Sequence, residues 1–168
     1  MSFGLTRIDL PEGAATREAF GEALAEAGSD DRVVVVDGDV NNSTYTNHFK
    51  EKYPERFFNV GIAESNMVGV AAGLAGSGKI AVAASFSTFL MSNAFDQIRM
   101  SVAFPNQNVK LVGSHAGISI GEDGPSQMAI EDVALACALP GFTVIVPADG
   151  PSTTAASRCL PTSTTGSG

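Results

Sequence analysis

Four consecutive valines, Val33–Val36, stand between Arg32 and the turn residues Asp37-Gly38-Asp39. A strand with one wet face alternates apolar and polar residues, so an unbroken β-branched run predicts a strand covered on both faces. Such a strand needs helices above and below a sheet, and the flanking sequence supplies them. "TREAFGEALAEAG" places Phe20, Leu24 and Ala27 on one helical face and stops at Gly28. The apolar runs predict five parallel strands, near residues 33–37, 57–60, 80–85, 109–114 and 143–147. Between them the periodicity predicts a short helix through His48 to Lys52, one from Ala63–Glu64 to Gly76, and long helices through "STFLMSNAFDQIRMSVAF" and "QMAIEDVALACAL". This alternation predicts an α/β fold: a single three-layer α/β/α domain with a mainly parallel sheet.

Length and composition agree with one domain of this kind. The chain has 168 residues, 44% hydrophobic and 17% charged, enough apolar material to bury a core. A net charge of -8 argues against nucleic acid as a partner, because phosphate backbones select basic faces. The two cysteines, Cys137 and Cys159, form no CxxC pair, which suits a reducing cytoplasm and neither a disulfide framework nor a cysteine zinc site. No apolar run reaches the ~18–20 residues that a membrane-crossing helix needs. "MSFGLTRIDLPEG" lacks the apolar stretch of a secretion signal. The expected layout is a leader over residues 1–15, the domain over 16–150, and a tail over 151–168. "PSTTAASRCL" has the makings of one more helix, whereas "PTSTTGSG" resembles a linker or expression scar.

Ligands of open parallel sheets bind beyond the carboxyl ends of the strands. The segments that follow the expected strands are 37–44, 61–66, 86–89, 115–127 and 149–150, and the polar and acidic residues collect there. A phosphate-binding loop is suggested by Gly73, Gly78 and Lys79, but Ile80 replaces the magnesium-binding hydroxyl. The order is also reversed, since that loop runs from strand to helix and these glycines lead from helix to strand. Lys79 therefore reads as a solvated residue at a strand start. Glu64, an isolated acid in "NVGIAESNMVGVAAGLAG", reads from spacing alone as a first-turn residue that complements the helix dipole.

The neighbouring motifs add to that reading. "RFFNVGIAESNMVGVAAGLA", "STF…AFDQIR", "HAGISIGEDGPSQMAIED" and "VIVPAD", in this order, resemble the pyrimidine-binding (central) domain of transketolase, and "TREAFGEAL" and "DGDVNNST" fit it too. The resemblance covers about residues 16–150. It implies a thiamine-diphosphate-dependent transferase that moves a two-carbon ketol unit between sugar phosphates, with the cofactor bound between two domains, commonly across a dimer interface. Glu64 is then the catalytic and cofactor-binding carboxyl that hydrogen-bonds the aminopyrimidine ring nitrogen. His115 in "GSHAG" faces the donor sugar, Asp123 in "GEDG" hydrogen-bonds a substrate hydroxyl, and Ser43 in "NNST" lies near the sugar phosphate. Gln127 in "GPSQMA" contacts cofactor or substrate, as glutamine does in the animal-like branch. The aromatic platform is Phe89, or else Phe86 or Phe95, because "STFLMSNAFDQIR" is about two residues shorter than the family pattern. Read without the resemblance, Asp123 and Ser43 are ordinary turn formers and His115 a loop histidine.

The resemblance also implies missing parts. The diphosphate and Mg²⁺ of the cofactor belong to a separate domain carrying GDG and, well downstream, an asparagine. "DGDVNN" only mimics that motif, since its asparagines follow directly. The expected partners are thus a diphosphate-binding domain or subunit, sugar phosphates and another copy of the chain, with no activity expected from the chain alone. The alternatives are part of another thiamine-diphosphate enzyme, of the deoxyxylulose-phosphate synthase or 2-oxo acid dehydrogenase β type, or a non-catalytic structural module.

Overall fold

The computed structural model describes residues 12–161. The expected leader up to residue 11 and the small polar end from residue 162 lie outside the described residues. β1 (Val33–Asp37), β2 (Phe57–Asn59), β3 (Ile80–Phe86) and β4 (Val109–Ser114) form one parallel sheet in the order β2-β1-β3-β4. Register follows from pairs such as Val33 with Ile80 and Ala81 with Val109. The helices are α1 (Thr16–Ala27), α2 (Asn41–Thr44), α3 (Asn47–Lys52), α4 (Glu64–Gly76), α5 (Ser87–Asn93), α6 (Phe95–Gln97), α7 (Asp132–Cys137) and α8 (Gly150–Ser157).

The valine run behaves as its chemistry requires. Val33 and Val35 pack with Ile80 and Val82 against Phe20 and Leu24 of α1 and Phe49 of α3. Val34 and Val36 pack with Ala81 and Ala83 against Met67, Val68 and Ala71 of α4 and Leu90 of α5. The pleat sends alternate residues to opposite sides, and both sides are covered by helices. Arg56 fastens the α1 end of this layer, donating to the carbonyls of Gly28, Asp30 and Val33 at 2.6–3.1 Å while its guanidinium lies over Tyr53. It satisfies carbonyls that a helix end leaves without partners.

Three sequence expectations need correction. Residues 143–147 form no strand: this stretch runs without a ladder to β4, and among the described residues the sheet has four strands. Ile145 and Val146 stay 59% and 64% exposed. A buried parallel strand needs cover on its outer face, and the helix that follows, α8, packs on α1 instead. The expected helix over "STFLMSNAFDQIRMSVAF" is divided. It breaks at Ala94 (φ -110°, ψ 10°), where the Ser65 hydroxyl donates to the Asn93 carbonyl at 2.6 Å, and it continues through α6 into a π-helical turn over Ile98–Ala103. Finally, "QMAIEDVALACAL" is helical only over Asp132–Cys137. Its first residues are diverted because Ala129 exchanges backbone hydrogen bonds with Gly117, at 2.8 and 3.2 Å.

Candidate active site at the carboxyl ends of the strands

The end of β3 distributes its side chains by the same pleat. Ser85 shares a face with Ala81 and Ala83 and meets α4, where its hydroxyl donates to Glu64 Oε1 at 3.1 Å. Phe86 points to the α1 side, and its ring lies 4.3 Å from that of His115 and 5.9 Å from Phe89, nearly parallel to the latter. Glu64 opens α4 and is buried at 4% exposure. Among the described residues no Lys, Arg or His pairs with it, so a hydroxyl and the helix N-terminus are what face this carboxylate.

A second group of side chains meets across the ends of α1, β1 and β4. Arg17, in the first turn of α1, donates from Nη1 to the Ser43 carbonyl at 3.3 Å and touches His115 Nε2 at 3.1 Å. Its guanidinium also lies over the Tyr45 ring. Gly21 makes that approach feasible. A Cβ there would stand 2.4 Å from the Tyr45 carbonyl oxygen, so only glycine lets α1 lie this close to the Asn41–Tyr45 loop. Gly113 has the same effect at β4, where a Cβ would stand 2.8 Å from the Ser87 backbone. Arg17, Ser43, Phe86, His115 and Asp123 line one cleft of about 910 Å³. Asp39, Tyr45 and His115, all non-glycine, adopt left-handed φ of 67°, 61° and 57° in the loops around it. Such conformations cost energy and concentrate where a loop must aim a group.

Burial and the Arg17 charge hold the His115 pKa below its usual value, and Asp123 opposes them. Beneath the cleft, Asp37 is fully buried and accepts from the Val40 N–H at 2.8 Å and from the Thr46 and Thr44 hydroxyls at 2.8 and 3.2 Å. Burial pushes its pKa up, and these hydrogen bonds counter the push.

Comparison with known proteins decides the family. Residues 12–161 match the family model of the transketolase pyrimidine-binding domain. The chain belongs to the transketolase pyrimidine-binding domain family. It is 54% identical over 141 residues to transketolase-like protein 2 of Mus musculus, covering 83% of this chain and 22% of that protein. It is 50% identical over 134 residues to a putative transketolase C-terminal section of Methanocaldococcus jannaschii, covering 79% of this chain and 42% of that protein. A solved structure described as a split-gene transketolase, inactive beta4 tetramer, superimposes with a TM-score of 0.77 at 47% identity, covering 89% of this chain and 48% of that one. The chain thus spans less than half the length of these relatives.

Within this transketolase-type domain, the structure brings Ser43, His115 and Asp123 to one cleft. Phe89 stacks on Phe86, which lines the cleft, whereas Glu64 and its partner Ser85 are not among the cleft residues. Gln127 stands apart in the 3-10 turn Pro125–Gln127, where its Oε1 accepts from the Ser126 hydroxyl at 2.5 Å, and it is not among the cleft residues. Ser43 joins Arg17 through its carbonyl rather than its hydroxyl. Arg17 escaped the sequence reading. It sits in "TREAF", an ordinary helix start, and only its i, i+4 spacing to Gly21 hinted at a close approach. Lys79 is exposed between the end of α4 and Ile80, in the reversed order that argued against a phosphate loop.

Proposed function

We propose that this domain is the pyrimidine-binding part of a transketolase that transfers a two-carbon ketol unit between sugar phosphates. The observation that carries the proposal is Glu64: a carboxylate buried to 4% exposure that opens α4 and is partnered by the hydroxyl of Ser85 at the carboxyl end of β3. Burying an acid without a cation is costly, and a helix N-terminus with a single hydroxyl repays only part of the cost. An aminopyrimidine ring nitrogen would complete the set, so the residues present fit the pyrimidine half of thiamine diphosphate.

In this reading Glu64 hydrogen-bonds that nitrogen and passes a proton at its carboxyl oxygen, while Phe89, backed by Phe86, offers the flat apolar surface for the ring. When bound, the cofactor supplies the nucleophilic carbon and electron sink that a side chain cannot. Arg17, the Ser43 loop and His115 face the phosphorylated end of a substrate, and Asp123 accepts from a sugar hydroxyl. Gln127 is assigned to cofactor or substrate contact from its own turn outside the cleft. Among the described residues no three of His, Cys, Asp and Glu gather into a metal-holding group, and the diphosphate and Mg²⁺ are assigned to a separate domain or subunit. Among the described residues no helix is long and apolar enough to cross a membrane. The proposed setting is the cytoplasm, with a second copy of the chain in the assembly. The split-gene relative, described as inactive in its beta4 form, supports the need for a partner.

The test is complementation. Mixed with a diphosphate-binding subunit, thiamine diphosphate and Mg²⁺, the chain should show ketol transfer, and Glu64→Gln should lower it by ~10²–10⁴-fold. The melting temperature should move little, since the substitution is nearly isosteric. Activity that survives within a few-fold, with a lower melting temperature, would make Glu64 a helix-end residue only.

A further inference from the structure

Ser85 has no exposed surface, and among the described residues its hydroxyl has one partner, Glu64 Oε1 at 3.1 Å. It stands in a central strand, with Ala84 opposite Asp37 of β1 and Ser85 itself opposite Gly113 of β4, so its backbone is fixed from both sides. Gly38 leaves room for the hydroxyl: a Cβ there would stand 3.2 Å from Ser85 Oγ, although the Gly38 backbone is not left-handed. The two oxygens of Glu64 differ accordingly. Oε1 is taken by the hydroxyl, whereas Oε2 has no hydrogen bond among the described residues. Among those residues Asn47 Oδ1 is the one fully enclosed side-chain oxygen or nitrogen without a partner, so Oε2 of Glu64 reaches the surface. A carboxylate accepts hydrogen bonds but cannot donate, and its terminal torsion is broad and two-fold. Without an anchor the two oxygens would trade places.

We propose that Ser85 is a positioning residue for Glu64: its hydroxyl holds Oε1 inward as an acceptor and thereby presents Oε2 outward as the oxygen that carries the proton. The inference rests on the reading of Glu64 as the acid that meets the aminopyrimidine nitrogen, and deepens it by naming the oxygen and what aims it. One proton moves between Oε2 and that nitrogen, the Ser85 O–H stays intact, and no other bond changes. A hydroxyl suits this task better than a cation. A Lys or Arg in that place favours the ionised form of a carboxyl, whereas a neutral donor anchors one oxygen and leaves the other able to take a proton and give it up. The strand pleat makes the assignment specific to Ser85, because its neighbour Phe86 turns to the opposite face and lines the cleft.

The experiment compares Ser85→Ala, which deletes the hydroxyl, with Ser85→Cys, which keeps the volume but offers only a weak thiol donor. In the full chain alone, labelled with 13C at the glutamate side-chain carboxyls, the Glu64 signal is the one missing from Glu64→Gln. That signal should move in both Ser85 variants at constant pH. In the complemented enzyme, at saturating thiamine diphosphate and Mg²⁺, both variants should lose ~10-fold or more in kcat, toward the ~10²-fold that a misplacement of about 1 Å costs, with KM for the sugar phosphate little changed. An unmoved Glu64 signal in Ser85→Ala overturns the inference with no cofactor or partner involved. So does a kcat within about twofold of the natural chain in both variants. A loss in Ser85→Ala that is absent in Ser85→Cys makes Ser85 a space-filling residue and overturns the positioning role. If Glu64→Gln itself stays active, the reading of Glu64 fails and takes this inference with it. With Glu64→Gln inactive and both Ser85 variants active, that reading stands and the role of Ser85 alone falls.

Discussion

Asp37 shows how a residue at a strand end can organise a loop. Its two carboxylate oxygens collect the Val40 N–H and the hydroxyls of Thr44 and Thr46, which bends the chain back after β1 and presents Ser43 to Arg17. Asp37→Ala should cost about 1–3 kcal/mol, the usual penalty for stranding such donors. Burial raises the folded-state pKa above the ordinary 3.8. Between 3.8 and that raised value the folded chain retains a proton that the unfolded chain has lost, so this group's contribution to stability falls as pH rises. Asp37→Asn removes the titration. Its melting temperature relative to the natural chain should therefore be higher at pH 7 than at pH 4, as thermal unfolding at the two pH values would show. The opposite order would mean that the hydrogen bonds, not burial, dominate this carboxyl.

At the scale of elements, glycine has two different uses in two helices. In α1, Gly21 is a contact residue. Gly21→Ala gains up to ~1 kcal/mol of helix propensity but drives a Cβ into the Tyr45 backbone, and overpacking of this kind commonly costs ~1–3 kcal/mol. The expected net result is a less stable chain in which Arg17 loses its reach to His115. In α4, by contrast, Ala71, Ala72 and Ala75 face the sheet, while Gly69 and Gly73 are exposed, with nothing within 4 Å of the place a Cβ would take. Each Gly→Ala change there should stabilise the isolated chain by about 0.5–1 kcal/mol. Thermal melts of the three variants separate the two roles, and equal destabilisation at all three positions would refute the distinction.

The whole molecule is closed on its two faces and open along β4. β1 and β3 are central strands with paired neighbours on both edges, and among the described residues β4 has no ladder on its outer edge, with residues 142–148 running unpaired. Ile62, Phe104, Ile118 and Ile130 are each more than 70% exposed. In hydrogen exchange, the amides of β1 and β3 should be the slowest and those of Val144–Val146 should exchange as freely as a loop. Protection of Val144–Val146 equal to that of β4 in the isolated chain would contradict the four-strand sheet.

Much of this molecule was legible along the chain. β-branched runs and 3.6-residue periodicity are local properties, and they placed all four strands of the sheet, α1 and α4 within a residue or two. The spaced motifs around Glu64 likewise named the family, because several short patterns in order carry more information than any one of them. What tertiary structure decided were competitions that local patterns cannot register. Ala129 pairs with Gly117 instead of extending a helix, Ser65 takes the carbonyl at which α5 ends, and residues 143–147 lack the outer cover that a buried strand needs. Arg17 belongs to the same class. Its place in the cleft depends on how closely α1 approaches a loop some 26 residues away in sequence, and such a distance is settled only when the layers pack.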